Sequence, residues 1–250
     1  MSAAEAAVAW RALVTAASDP YQRAGRFAWH FARGKLRWDP VFCHLVARGL
    51  IAPRTRVLDI GCGQGLLASL VAAAARAARQ GRWPSDWAEA PVDVRVSGIE
   101  LLARDVARAR DALGDGTDIV CADMRTTAFS AVDIVVLLDV LHYVSVAEQD
   151  AVLARVRAAL PIGGRLVLRV GDAAARRGFA ASRWVDRIVT LLRGQGIGRQ
   201  AGRTLAAWQA RLAELGFAVA SEPMRDGTPF ANVLLVAVVE REPASPEQSP

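Results

Sequence analysis

The chain is 250 residues long, 53% apolar, and carries 31 Lys and Arg against 25 Asp and Glu, a formal net charge of +6. That length supports one domain with additions and a sizeable core. Much of the apolar share is alanine and no run of about eighteen residues lacks charge, which argues against a membrane span. Cys43, Cys62 and Cys121 are odd in number, far apart and in no metal-ligand spacing, so no disulfide or metal site is expected and all three read as small core fillers.

An alanine-rich helical pattern opens the sequence. With Glu5 and Arg11 inside it, this start lacks the basic lead and apolar core of a secretory signal, and a cytoplasmic location is expected. Asp19-Pro20 and Asp39-Pro40 each offer an N-cap carboxylate followed by proline at the first helical position, and Gly34 and Gly49 stand where the two helices would end. Between them Tyr21, Phe27, Trp29 and Phe31 alternate with Arg23, Arg26, His30 and Arg33, the pattern of a helix laying one face on a core. Residues 1–54 are therefore expected to form an N-terminal helical cover. Arg23, Arg26, Arg33, Lys35 and Arg37 make one basic cluster, and a second runs from Arg176 to Arg203. A solvated surface is the plain expectation for both, and a face for an acidic carrier, nucleic acid or phosphate-bearing substrate is the alternative.

After the short β-branched run of the first strand comes Asp59-Ile60-Gly61-Cys62-Gly63-Gln64-Gly65, which then opens an alanine-rich helix. Glycines between a strand and a helix let the backbone take positive φ and come within contact of a nucleotide ligand. The dinucleotide fingerprint places its third glycine three residues after the second, but here Leu66 holds that place and Gly65 comes two after. A ligand without a pyrophosphate is favoured, and a nicotinamide-dependent reductase is correspondingly disfavoured.

The acidic-x-Gly-x-Gly-x-Gly pattern resembles motif I of the class I methyltransferases that use S-adenosylmethionine (SAM). The following acidic positions extend the likeness. A second strand candidate ends at Glu100, placed to accept hydrogen bonds from both ribose hydroxyls, with Leu101 next to it. Glu100 lies further from the loop than the usual twenty or so residues, and a Pro-, Gly- and Asp-rich insertion from Gly81 to Asp93 explains the excess. A third strand runs into Ala122-Asp123-Met124, where the resemblance implies an Asp carboxylate on the adenine amino group. Expected cofactor residues are thus Asp59, Gly61, Cys62, Gly63, Gly65, Glu100, Leu101, Asp123, Met124 and Asp139, with SAM as donor, S-adenosylhomocysteine (SAH) as product and no metal.

Strands are expected at Arg56–Ile60, 94–99, 118–121, Ile134–Leu138, 165–170, 217–221 and Asn232–Val239, separated by helices at Leu66–Arg79, 102–113, 146–160, 183–192 and 205–215. Ser145 and Glu148 make a capping-box signature, and Pro161-Ile162-Gly163-Gly164 a turn. No helix separates the last two strands, so they should pair antiparallel. The expected fold is α/β: a seven-stranded, mostly parallel sheet with an antiparallel last strand and helices on both faces, spanning residues 55–241 after the N-terminal cover and before a disordered tail at 242–250.

The fourth strand continues into Asp139-Val140-Leu141-His142-Tyr143, the stretch that by resemblance lies near the methionine part of the cofactor. His142 is the first candidate general base, since imidazole titrates near neutrality. Tyr143, His30 and Tyr21 are secondary candidates, while His44 reads as a packed helix residue. The Asn/Asp-Pro-Pro-Tyr/Phe segment of enzymes that methylate exocyclic base amines is missing after this strand, and no Pro-Cys pair suggests cytosine C5 chemistry. No added nucleic-acid-binding domain is visible, so a small or carrier-bound acceptor is expected, with oxygen as the acceptor atom. Residues 21–35 resemble methyltransferases found alongside bacterial aryl-polyene and fatty-acid-like pathways, which implies O-methylation of an aryl ring, on an acidic acyl carrier protein. RNA methylation and a non-catalytic SAM-binding partner or regulatory protein of the same fold are the alternatives. The acceptor's identity and the oligomeric state are not encoded in these motifs.

Overall fold

The computed structural model of the protein describes residues 3–171, 203–224 and 232–241. The arginines from Arg176 to Arg199, the expected helix at 183–192, the turn bearing Asp226-Gly227 and the tail at 242–250 lie outside the described residues. The chain divides into two compact units, Met1–Val136 and Leu137–Pro250, and the division falls inside the fourth strand. The helices of residues 1–54 belong to the first unit together with the first three strands.

In that unit, α1 (Ala3–Ser18) runs into a single 3-10 turn, Asp19–Gln22, followed by α2 (Arg26–Trp38) and α3 (Pro40–Ala47). Asp39 caps α3 as expected, its carboxylate accepting the Val41 N–H at 3.2 Å. Two expected boundaries need correction. Asp19 sits inside the 3-10 turn rather than capping a long helix, and α2 begins only after Gly25, whose φ of 98° breaks the chain direction. Gly34 lies within α2 instead of ending it. Ala28, Ala32 and Leu36, four residues apart on one face, are fully buried on either side of it, and their burial outweighs the roughly 1 kcal/mol by which glycine disfavours a helix interior.

The sheet of this unit is β1 (Arg56–Ile60), β2 (Arg95–Glu100) and β3 (Ile119–Cys121), joined by α4 (Leu66–Arg79) and α5 (Ala103–Leu113). β1 pairs parallel with β2 and β2 with β3. Val57, Leu58, Asp59 and Ile60 are all buried, as a strand covered on both faces requires. α4 packs against α1, and its buried residues are Leu66, Leu67, Leu70 and Val71 in the first half and Ala73, Ala74 and Ala75 after them. Residues 81–94 carry no helix or strand, which is the insertion expected from their Pro and Gly content. Trp83 and Trp87 meet edge to face across it at 5.2 Å.

β4 (Ile134–Leu138) leads into the second unit, which holds α6 (Val146–Ala159), β5 (Arg165–Gly171), α7 (Leu205–Glu214), β6 (Phe217–Pro223) and β7 (Asn232–Val239). The Ser145–Glu148 capping box closes the start of α6 from both sides. β7 is antiparallel to both β5 and β6. Arg157 is buried in the same unit and donates to the carbonyls of Leu160, Leu215 and Arg241, tying helix ends to the chain beyond β7. The complete sheet has the order β3-β2-β1-β4-β5-β7-β6. This is the expected seven-stranded, mostly parallel architecture, with its strand order reversing at β1, where open α/β sheets bind ligands beyond the carboxyl ends of their strands.

Candidate cofactor site

Three parallel strand ends meet at this edge of the first unit, and the glycine loop follows the first. Its backbone is pinned: the N–H groups of Gly61 and Cys62 both donate to the Ile99 carbonyl, at 2.8 and 3.2 Å, and Gly65 N–H donates to the Cys62 carbonyl at 3.0 Å. Gly63 and Gly65 both require positive φ, 56° and 78°. Their surroundings separate their roles. A Cβ at Gly63 would meet nothing within 4 Å, so this peptide faces open space, whereas one at Gly65 would lie 2.7 Å from Ile119 Cδ1. Gly63 leaves room for a ligand, and Gly65 lets α5 and β3 pack. Cys62 belongs to that packing, clustered with Val106, Ala109 and Ile119, and its sulfur occupies the place a side chain at Gly98 would need. Burial raises its thiol pKa, and the sulfur lies 3.8 Å from the Gly63 carbonyl, to which it donates. Core filling does not extend to the other thiols, since Cys43 is half-buried and Cys121 exposed at the edge strand β3.

Glu100 is held by the backbone on both oxygens. Gly63 N–H donates to Oε2 and Leu102 N–H to Oε1, each at 2.9 Å. Each oxygen keeps a second lone pair, so the carboxylate is oriented yet able to accept from a diol. Asp59, 6% exposed at the end of β1, receives no side-chain hydrogen bond among the described residues. Burial first, and the Glu100 charge second, push its pKa up to about 7. A buried acceptor of this kind calls for a donor or cation from outside the chain. Beside them Leu101 exposes 43% of its surface, an apolar face available to a planar ring. Asp123, after β3, is gripped by its neighbour: Arg125 donates from its backbone at 2.8 Å, from Nε at 2.9 Å and from a terminal nitrogen at 2.6 Å. Met124 is half-buried next to it. An adenine amino group would have to share that carboxylate with Arg125.

Tyr21 is not available as a base. It is fully buried, its hydroxyl donates to the Gln64 carbonyl at 2.8 Å, and burial raises its pKa. Gln64 in turn donates from Nε2 to the Ala28 carbonyl at 2.9 Å, and Ser69 from its hydroxyl to the Ala17 carbonyl at 2.6 Å. The helical cover is thus hydrogen-bonded to the loop, a connection carried by Gln64, which sequence reading passed over. A polar side chain flanked by loop glycines and followed by Leu66-Leu67 was its only signal. His30 is exposed and lies opposite the Ala28–Ala32 face of α2, its ring against Trp29 at 4.6 Å.

In the second unit, Asp139 takes a φ of 59°, uncommon for a residue with a Cβ. Its carboxylate is engaged by Arg169 in a fork, through Nε at 2.9 Å and through a terminal nitrogen. The Arg169 side chain is 3% exposed and that of Asp139 32%. This ion pair is what the carboxylate of Asp139 meets in the structure. Arg169 interrupts the apolar run Leu166-Val167-Leu168, and that charge in a buried strand was the sequence signal for a partner. His142 and Tyr143 follow on a 3-10 turn, half-buried, with ring centroids 4.0 Å apart. Burial lowers the His142 pKa, against an opposing pull from Asp139. The late basic cluster ends in Arg203, which is paired with Asp150 at 2.7 Å and stacked over Trp208, and so is no solvated charge.

The family description that matches this chain is "Methyltransferase domain", over residues 58–166, from within β1 to the start of β5. The match to a methyltransferase domain thus takes in the glycine loop, Glu100, Asp123 and the stretch after β4. Among curated relatives, the carboxy-S-adenosyl-L-methionine synthase of Chromohalobacter salexigens is 34% identical over 130 residues, covering 48% of this chain and 43% of that protein. The chain therefore aligns with less than half of that relative's length. Among solved structures, the magnesium protoporphyrin IX methyltransferase of Synechocystis with bound SAH superposes with a TM-score of 0.52 at 21% identity, over 88% of this chain and 93% of that one. The mitomycin 7-O-methyltransferase gives 0.56 at 21% identity, over 90% of this chain and 59% of that one. These likenesses establish the fold. No helix of the described residues is long and apolar enough to cross a membrane, and no metal-binding cluster of His, Cys, Asp and Glu occurs among them.

Proposed function

We propose that this protein transfers the methyl group of SAM to an oxygen of a small or carrier-bound acceptor. The observation that carries the donor is the pairing of the open peptide at Gly63 with two carboxylates, half-buried Glu100, oriented by backbone N–H groups, and buried Asp59, which receives no side-chain hydrogen bond among the described residues. The arrangement fits SAM: Glu100 would accept from the ribose hydroxyls, Asp59 would meet the cationic portion, Leu101 the adenine ring, and Asp123 the adenine amino group alongside Arg125. When bound, SAM supplies a methyl group already activated on a sulfonium. The acceptor oxygen forms the new bond to the methyl carbon as the carbon–sulfur bond breaks, leaving SAH. The chain's remaining task is to hold the acceptor in line and take its proton.

His142 is the proposed base. Its support is that burial keeps the imidazole neutral, so a ring nitrogen can accept the hydroxyl proton at neutral pH. Calorimetric titration with SAM tests the donor, and NADH serves as control; absence of SAM binding would remove the reading. For the base, His142→Ala should lower kcat on phenolic acceptors by about 10²–10⁴-fold with SAM affinity unchanged, and an unaltered kcat would assign the residue to the pocket wall. Mass analysis of the cofactor after turnover distinguishes methyl transfer from modification of SAM itself, the product named for the Chromohalobacter protein.

An acidic carrier is supported by the outer surface of α2. At about 100° per residue, Phe27, Phe31 and Trp38 share one stripe and are 45%, 42% and 71% exposed. Arg26, His30, Arg33 and Arg37 form the adjoining stripe. Charge reversal at Arg23, Arg26 and Arg33 should slow methylation of a carrier-bound acceptor more than of its free analogue, and equal slowing would reduce the stripe to a solvated surface.

A further inference from the structure

The loop that carries Gly61, Gly63 and Gly65 is intrinsically the least ordered kind of backbone, because glycine surrenders the most conformational freedom on folding. A loop of this kind binds well only if other groups already hold it in its bound shape. On one side the hold is visible within the sheet, where Ile99 accepts from Gly61 and Cys62. On the other it comes from a distance of 43 residues in sequence, where the Tyr21 hydroxyl meets the Gln64 carbonyl. Gln64 itself is 3% exposed and returns a bond to the Ala28 carbonyl on α2. Ser69, one turn into α4, adds a third bond to Ala17 at the end of α1. Three elements of the helical cover therefore grip the loop and the helix it opens.

The chemistry of Tyr21 is what makes this more than core packing. A phenylalanine would fill the same volume, whereas a fully buried hydroxyl is unfavourable unless it is paired. It donates to a carbonyl of the loop, with the Ser69 side chain as a second hydrogen-bonding neighbour, so the hydroxyl fixes the plane of the Gln64–Gly65 peptide. Gly63, immediately before Gln64, donates to Glu100 Oε2. Orientation can thus pass from Tyr21 through two residues of loop to the carboxylate assigned to the ribose. We infer that Tyr21 and Gln64 are positioning residues for cofactor binding, through which the N-terminal helices set the shape of the glycine loop from its protein side.

This inference rests on the SAM-binding reading, and the experiment keeps the two apart. SAH is titrated calorimetrically into wild type, Tyr21→Phe, Gln64→Met, Glu100→Gln and the Tyr21→Phe/Glu100→Gln double variant, at a temperature well below every variant's Tm. Tyr21→Phe and Gln64→Met are each expected to raise the SAH Kd about tenfold. The double variant should lose less affinity than the product of its single losses, because both changes act on the same loop contact. Lowered Tm with unchanged Kd in both single variants would overturn the inference and leave the network a packing device. Strictly multiplicative losses would overturn the route through Glu100. If wild type itself fails to bind SAH, the SAM-binding reading falls, which is a separate result. Gln64→Met guards against failure of Tyr21→Phe to fold, since it removes the return bond while keeping side-chain length.

Discussion

Glu100 and Asp139 are both carboxylates at the end of a parallel strand, yet the structure treats them oppositely. Glu100 is steadied by two backbone N–H groups from its own neighbourhood and keeps lone pairs for a ligand. Asp139 is locked to the buried guanidinium of Arg169, thirty residues away, in a backbone conformation that few residues with a Cβ adopt. Backbone donors orient a charge without neutralising it, whereas a side-chain cation consumes it. A carboxylate at a strand end is therefore only a candidate ligand until its partner is known.

The comparison can be broken most severely at Asp139. Asp139→Asn takes the carboxylate away from the buried Arg169 guanidinium, and urea unfolding should show a loss of about 3 kcal/mol, placed at the low end because the aspartate is partly exposed. A change below about 0.5 kcal/mol would mean that solvent or a ligand carries the Arg169 charge. On the glycine-loop side, Gly63→Val should leave the far-ultraviolet circular dichroism intact, since a Cβ there meets nothing within 4 Å. It should nevertheless abolish SAM binding, by a factor above about 100, because valine disfavours positive φ and fills the space a ligand would take. Retained affinity would show that this peptide does not face the cofactor.

The smallest expected effect concerns pH. The folded-state pKa of Asp59 is raised to about 7, above the roughly 3.9 of an unfolded aspartate. Its contribution to stability is present below that lower value and is lost as pH rises through about 7, since the native state binds the extra proton. Wild type should therefore lose stability relative to Asp59→Asn between pH 5 and pH 8, read as the difference between their urea midpoints; parallel curves would mean that Asp59 is already ionised at pH 5.

How far these features were legible follows from the range of the interactions. α4, β1, β4 and β7 fall on the boundaries that periodicity sets, because each is a short run whose apolar pattern matches its burial. Gly34 was misread because a local helix-ending signal lost to the burial of Ala28, Ala32 and Leu36. The role of Tyr21 was misread because nothing local reports which carbonyl a buried hydroxyl will find.

The sequence by itself determined the alternation of strands and helices, the antiparallel final pair, the three strand ends that gather Gly63, Glu100 and Asp123, and the likeness to SAM-dependent methyltransferases. All of these depend on backbone propensity and spacing within a few residues. Tertiary structure alone decided that Gly65 serves packing while Gly63 faces open space, that Asp139 belongs to Arg169 and Asp123 to Arg125, and that Tyr21 braces the loop. Each of those is a choice of partner, and a buried polar group takes whichever partner the packed chain brings within hydrogen-bond distance.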